Sequence, residues 1–173
     1  MTTTMSVSEA IRLKRAVRTF TNQPLAPADV LAILNAGRRA QSSKNTQAWN
    51  FVAVQRRETL AALGQCGEWA GHLAGAALGV VILTPDPAKY PFLFDAGQAA
   101  AYMQLAGWEL GIGSCMATVY EAEKVREILA FPPEWHALFA ISFGYPAEAK
   151  KLVAPPKKGG RQPLEQIVHW DAW

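Results

Sequence analysis

The chain has 173 residues, half of them apolar and 18% charged, and a formal net charge of +3 from 17 basic and 14 acidic side chains. That length fits one domain, residues 1–173, at roughly 100–200 residues per domain, and the composition excludes a disordered segment. No basic-then-apolar leader stands at the N-terminus, and no apolar run approaches the roughly 20 residues that span a bilayer, so a cytoplasmic protein without membrane contact is expected.

In chain order, Ser6 and Glu9 have the spacing of a capping box and open a helix through about Lys14. Pro27 suits the first turn of a second helix, which Val30, Ile33 and Leu34 continue until Gly37. Trp49 to Gln55 alternates as a strand, Glu58–Gly64 and Trp69–Gly75 read as short helices, and Ala76–Leu83 reads as a buried strand closed by Pro85 and Pro87. Asp95 to Leu110 lacks a polar face and reads as a helix surrounded by protein. Gly111 to Cys115 breaks that pattern, Glu121–Leu129 forms an amphipathic helix, and Ala137–Tyr145 forms a third strand. The order of elements is that of an α+β protein. Residues 150–173 read as an extended C-terminal arm, rich in Pro, Gly and Lys through Pro163, with an apolar end bearing Trp170 and Trp173. Those rings need a surface to lie on, and a second subunit would supply one.

Charge is unevenly placed. Residues 1–60 hold nine Lys/Arg against three Asp/Glu, residues 61–150 four against nine, and residues 151–173 four against two. If folding brings the basic ends together they form a pocket for an anion; a solvated exterior would leave them scattered. Nucleic acid is a poor partner for these cations, because no aromatics are interleaved with them. The chain has no CxxC pair, HExxH, GxSxG elbow, Walker A loop or GxGxxG turn. His72, His136 and His169 lack ligand spacing, and Cys66 and Cys115 read as intracellular thiols, since a chain of this length folds without disulfides or metals. Cys115 beside a glycine turn has the setting of a nucleophile, but no activating base is marked nearby and a packing role is the expected one.

Three segments rise above this background. Lys14, Arg15 and Arg18 put three cations within five residues at a helix end, a pattern suited to gripping a phosphate and equally to answering the helix dipole. Ser42, Ser43, Asn45 and Gln47 offer hydroxyls and amides dense enough to read the edge of a flat heterocycle. The glycines of Gly111–Thr118 allow backbone to approach a ligand.

In this order the segments resemble the nitroreductase family of FMN-dependent oxidoreductases, over nearly the whole chain. The matching pieces are Lys14-Arg15-x-x-Arg18-x-Phe20, Ser42-Ser43-x-Asn45-x-Gln47-x-Trp49-x-Phe51, Asp95-Ala-Gly97, Leu110-Gly-Ile-Gly-Ser-Cys115, Phe143-Gly-Tyr-Pro146 and Arg161-x-Pro163-Leu-Glu165-x-x-Val168. The resemblance implies a central, mostly antiparallel sheet flanked by helices, a homodimer whose C-terminal arms are exchanged, and two FMN sites at the interface.

By the same resemblance, Lys14, Arg15 and Ala16 lie at the FMN phosphate and ribityl chain with Arg161, and Arg18 lies near N1 and O2 of the ring. Ser42, Ser43, Asn45 and Gln47 approach from the partner subunit, and backbone from Gly113 and Ser114 to Thr118 faces the ring near N5. No side chain is implied as a catalytic acid or base, because the flavin carries the chemistry. NADH or NADPH is the implied hydride donor, and a nitroaromatic or quinone an implied acceptor reduced in a ping-pong cycle. A storage or sensor protein that binds flavin with little turnover is the alternative reading. Three departures stand out: Ala16 for the usual serine, Ala48 for the proline before Trp49, and Gly159 where many relatives carry a cation, with Lys157 and Lys158 nearby as substitutes. Weaker retention of FMN is the expected consequence.

Overall fold

The middle of the sheet follows from two strands that are apolar on both sides. In the computed structural model, which describes residues 6–155 and 159–173, β1 (Asn50–Val54), β2 (Leu78–Thr84), β3 (Gly113–Thr118) and β4 (His136–Gly144) form one antiparallel sheet in the order β1-β2-β4-β3. Every residue of β2 is buried. Its side chains alternate between faces, so Leu78, Val80 and Ile82 enter one core and Val81 and Leu83 the other. The first core packs beneath α2 (Pro27–Arg38) and α4 (Tyr90–Glu109); the second packs beneath α3 (Arg57–Leu63) and α5 (Ala122–Leu129).

α1 (Val7–Leu13) has the expected capping box: Glu9 N–H donates to Ser6 Oγ at 3.2 Å and Ser6 N–H donates to Glu9 Oε2 at 3.0 Å. No residue of α1 is buried. Helix α4 begins at Tyr90, ahead of the expected Asp95, because Pro91 occupies its first turn without needing an amide partner. Its buried face is made largely of Ala96, Ala99, Ala100, Met103, Gly107 and Trp108. Trp108 Nε1–H donates to Leu152 O at 3.2 Å, tying the root of the C-terminal segment to α4. Among the described residues no helix is long and apolar enough to cross a membrane.

Two local expectations need correction. Trp69–Gly75 is not a helix but a single 3-10 turn at Gly71–Leu73, with Trp69 exposed. Gly111–Cys115 is only partly a break: Gly111, at φ +75°, stops α4, and Gly113 already begins strand β3. The second glycine is there for contact. A Cβ built on Gly113 would lie 2.7 Å from Val17 Cβ. Gly113→Ala is therefore expected to push residues 16–18 off the sheet edge and lower stability by about 1–3 kcal/mol. Urea unfolding checks this, and a wild-type midpoint would contradict it.

Candidate functional site

The candidate residues fall into two groups, and the first is assembled along the edge of β3. α1 ends at Lys14, and the chain then runs beside β3: Ala16 bridges Ser114 in parallel, and Val17 N–H donates to Ser114 O at 2.9 Å. Farther on, Thr21 N–H donates to Tyr145 O at 2.8 Å and Ala147 N–H to Thr19 O at 3.0 Å. Residues 16–21 are thus fixed at both ends. Val17 is buried, so by alternation Ala16 and Arg18 face outward. Gly113 and Ser114 are buried under this segment, whereas Thr118 is exposed.

Electrostatically the group is unfinished. Lys89, Lys124, Arg126, Lys150 and Lys151 each have a carboxylate within 4 Å. Among the described residues Lys14, Arg15 and Arg18 have none. Arg15 Nη1 donates to the carbonyls of Arg12 and Lys14, both at 2.8 Å, but its Nε is buried with no partner among the described residues. Burial pulls the Lys14 ammonium below the ordinary lysine range. Partly desolvated cations with an orphaned donor are costly until an anion completes them. A phosphate monoester, with several oxygens and negative charge, fits this set of donors.

The second group is the loop that enters β1. Lys44, Asn45 and Gln47 have φ of 52°, 55° and 48°. Asn visits that region readily, but Lys and Gln do so at about 1–2 kcal/mol each. Hydrogen bonds hold the loop in place. Ser43 N–H donates to Asp95 Oδ2 at 2.9 Å, Gln47 N–H to Ser42 Oγ at 3.0 Å, and Gln47 Nε2 to Asn45 Oδ1 at 3.3 Å. Buried Trp49, stacked on Phe51, anchors its far end. The side chains of Ser43, Asn45 and Gln47 stay exposed, while Ser42 is half-buried.

The sheet order separates the two groups. β1 and β3 are opposite edges, three strand spacings apart, or roughly 14 Å at about 4.8 Å per spacing. Arg161 is exposed on the C-terminal segment and has no carboxylate partner among the described residues; Lys157 and Lys158 lie outside those residues. The chain alone joins neither Arg161 nor the Ser42–Gln47 loop to the first group by any hydrogen bond among the described residues.

A polar cluster behind β3 has no signal in the sequence. Ser142 faces Cys115 across the β3–β4 pair, and its hydroxyl donates to Cys115 O at 3.3 Å. His72 Nδ1 lies 2.7 Å from that hydroxyl oxygen, so the network assigns the proton to Nδ1. Its Nε2 is buried and has no partner among the described residues. Burial first, and then the Arg18 guanidinium, hold His72 below its ordinary pKa. Burial likewise pushes the Cys115 thiol up, against the pull of Arg18 and Lys14, which keeps it protonated and inert.

Comparison with known proteins places this architecture. The model of the nitroreductase family matches residues 11–78 and 66–145. A relative from Archaeoglobus fulgidus, assigned provisionally as an NADH dehydrogenase/NAD(P)H nitroreductase, is 30% identical over 148 residues, covering 81% of this chain and 85% of the relative. An FMN reductase (NADPH) of Bacillus subtilis is 26% identical over 185 residues, covering 93% and 72%. The solved FMN-dependent nitroreductase of Clostridium difficile superposes with a TM-score of 0.84 at 26% identity, over 96% of this chain and 100% of that one. An antiparallel sheet between two helical layers, with a cationic strand edge, defines an α+β protein of the nitroreductase fold. This chain belongs to the nitroreductase family.

Proposed function

We propose that the protein is an FMN-dependent NAD(P)H oxidoreductase that works as a homodimer with an FMN site at each end of the interface. The observation that carries this reading is the set of unpaired cations, Lys14, Arg15 and Arg18, fixed along the edge of β3 with a buried, orphaned Arg15 Nε. Lys14 and Arg15 bind the phosphate, with the Ala16 backbone beside the ribityl chain and Arg161 completing the grip from the C-terminal arm. Arg18 offers a fixed positive charge to the N1/O2 edge of the ring. Gly113, Ser114 and Thr118 supply backbone beneath the ring. Ser42, Ser43, Asn45 and Gln47 reach it from the second copy, which fits their place at the opposite sheet edge.

Exposed apolar surface supports the dimer. Val7 and Ile11 of α1 and Tyr90, Phe94 and Tyr102 of α4 face solvent in the single chain. An apolar groove of about 480 Å³ lies between α1, α2 and α4, lined by Val7, Ile11, Tyr102, Leu105 and Trp108 among others. Patches of this kind mark interfaces.

Bound FMN would relay a hydride from NADH or NADPH to an acceptor such as a nitroaromatic or quinone, in a ping-pong cycle at one site. The protein's own share is positioning and charge compensation. Anaerobic mixing of the FMN-loaded protein with NADH or NADPH tests the reading: loss of the yellow colour of oxidised flavin is expected. Persistent colour with both donors would overturn it and leave a flavin-binding store or sensor.

A further inference from the structure

We propose that Asp95 is a positioning residue for the cofactor site, a cap supplied by α4 that holds the Ser42–Gln47 loop in its ligand-reading shape; this rests on the reading of that loop as a flavin contact. The 3-10 turn Ser43–Asn45 begins with a free backbone donor at Ser43. A Ser42 side chain in the N-cap position reaches the amides of Lys44 and Asn45, not that of Ser43. Here, however, the Ser42 hydroxyl accepts from Gln47 N–H instead, and the turn has no cap of its own. The Ser43 donor is answered from 52 residues away, Asp95 Oδ2 accepting Ser43 N–H at 2.9 Å.

Burial makes the assignment specific. Asp95 is 2% exposed on a helix whose other buried residues are almost all apolar. A carboxyl group is retained in such a place only where a donor answers it, and the donor belongs to the loop. The three bonds act in series: Asp95 holds the start of the turn at Ser43, Ser42 Oγ holds Gln47 N–H, and Gln47 is held against Asn45 with both residues at positive φ. Removing the Asp95 carboxylate unties Ser43 from α4, which lets Ser42 shift away from Gln47 and Lys44, Asn45 and Gln47 relax to ordinary backbone angles. The loop's side chains are unchanged but no longer held in place.

Amide exchange in the flavin-free protein and FMN titration of the same variants test this. Asp95→Ala is expected to speed exchange at the Gln47 amide and weaken FMN binding, each by about tenfold or more, the loss of one hydrogen bond of ordinary strength. Asp95→Asn keeps an acceptor and should stay within about threefold of wild type. Ser43→Pro removes the donor without touching α4, at a position where the extended Ser42 and the first helical residue both accept proline. It should bind FMN about tenfold less tightly than Ser43→Ala, and it decides the matter if Asp95→Ala does not fold. Unchanged Gln47 exchange in Asp95→Ala, an Asn variant as defective as the Ala variant, or equal affinity of Ser43→Pro and Ser43→Ala would each overturn the proposal. If wild-type protein binds no FMN, the functional reading fails, and the exchange measurement still decides whether Asp95 holds the loop.

Discussion

Replacing Lys14 and Arg15 together with alanine is expected to lower FMN affinity by about 10²–10⁴-fold. Hydrogen bonds to charged groups contribute about 1.5–3 kcal/mol each, and two such groups therefore account for about 3–6 kcal/mol, at 1.4 kcal/mol per decade of affinity. The fold should survive. Neither side chain lies in either apolar core, and the lost bonds from Arg15 Nη1 to the Arg12 and Lys14 carbonyls are offset by removal of the partly desolvated Lys14 ammonium. The flavin-free double variant is expected to unfold within about 1 kcal/mol of wild type. Titration of the apoprotein by flavin fluorescence quenching, beside a urea unfolding curve, checks both halves. Undiminished FMN binding would remove the phosphate assignment.

The second large effect is expected from deleting the chain beyond Pro155. Leu164, Ile167, Trp170 and Trp173 are exposed by 66%, 55%, 84% and 100%, so they add nothing to the core of their own protomer. Burying one large apolar side chain contributes about 1.5–3 kcal/mol; four of them seated on a second copy would strengthen the dimer by at least about three decades after the cost of ordering the arm. The truncated chain is expected to sediment as a folded monomer at concentrations where the full chain is a dimer, and to lose FMN affinity with it. Arg161→Ala should leave the dimer intact and weaken FMN retention, whereas Lys89→Ala, whose ammonium already pairs with Asp86 at 3.6 Å, should change neither. A truncated dimer with full FMN affinity would contradict the exchanged arm.

Much of this fold is legible in the residues because local and tertiary signals agree. The Ser6/Glu9 capping box, Pro27 at a helix start and the apolar run of β2 each satisfy a rule that holds within a few residues, and each element stands where that rule puts it. Strand β3 is different. Its glycine is required by Val17, almost a hundred residues earlier, and such a contact leaves no periodicity to read. The cations at 14, 15 and 18 are visible in sequence, but that they lack carboxylates is a property of the folded chain. Asp95 is visible as an acid in an apolar helix; its partner, a backbone amide, carries no side-chain signature at all. The His72–Ser142 contact joins a short turn to a central strand and is hidden for the same reason.

The phosphate grip at the edge of β3 is tested most directly by titrating the flavin-free protein in parallel with FMN and with riboflavin, which has the same ring and ribityl chain but no phosphate. FMN is expected to bind at one per chain and at least about a hundredfold more tightly than riboflavin, a preference that disappears in the Lys14/Arg15 double variant. Equal affinity for the two flavins, or a preference for FMN that the double variant retains, would contradict the account.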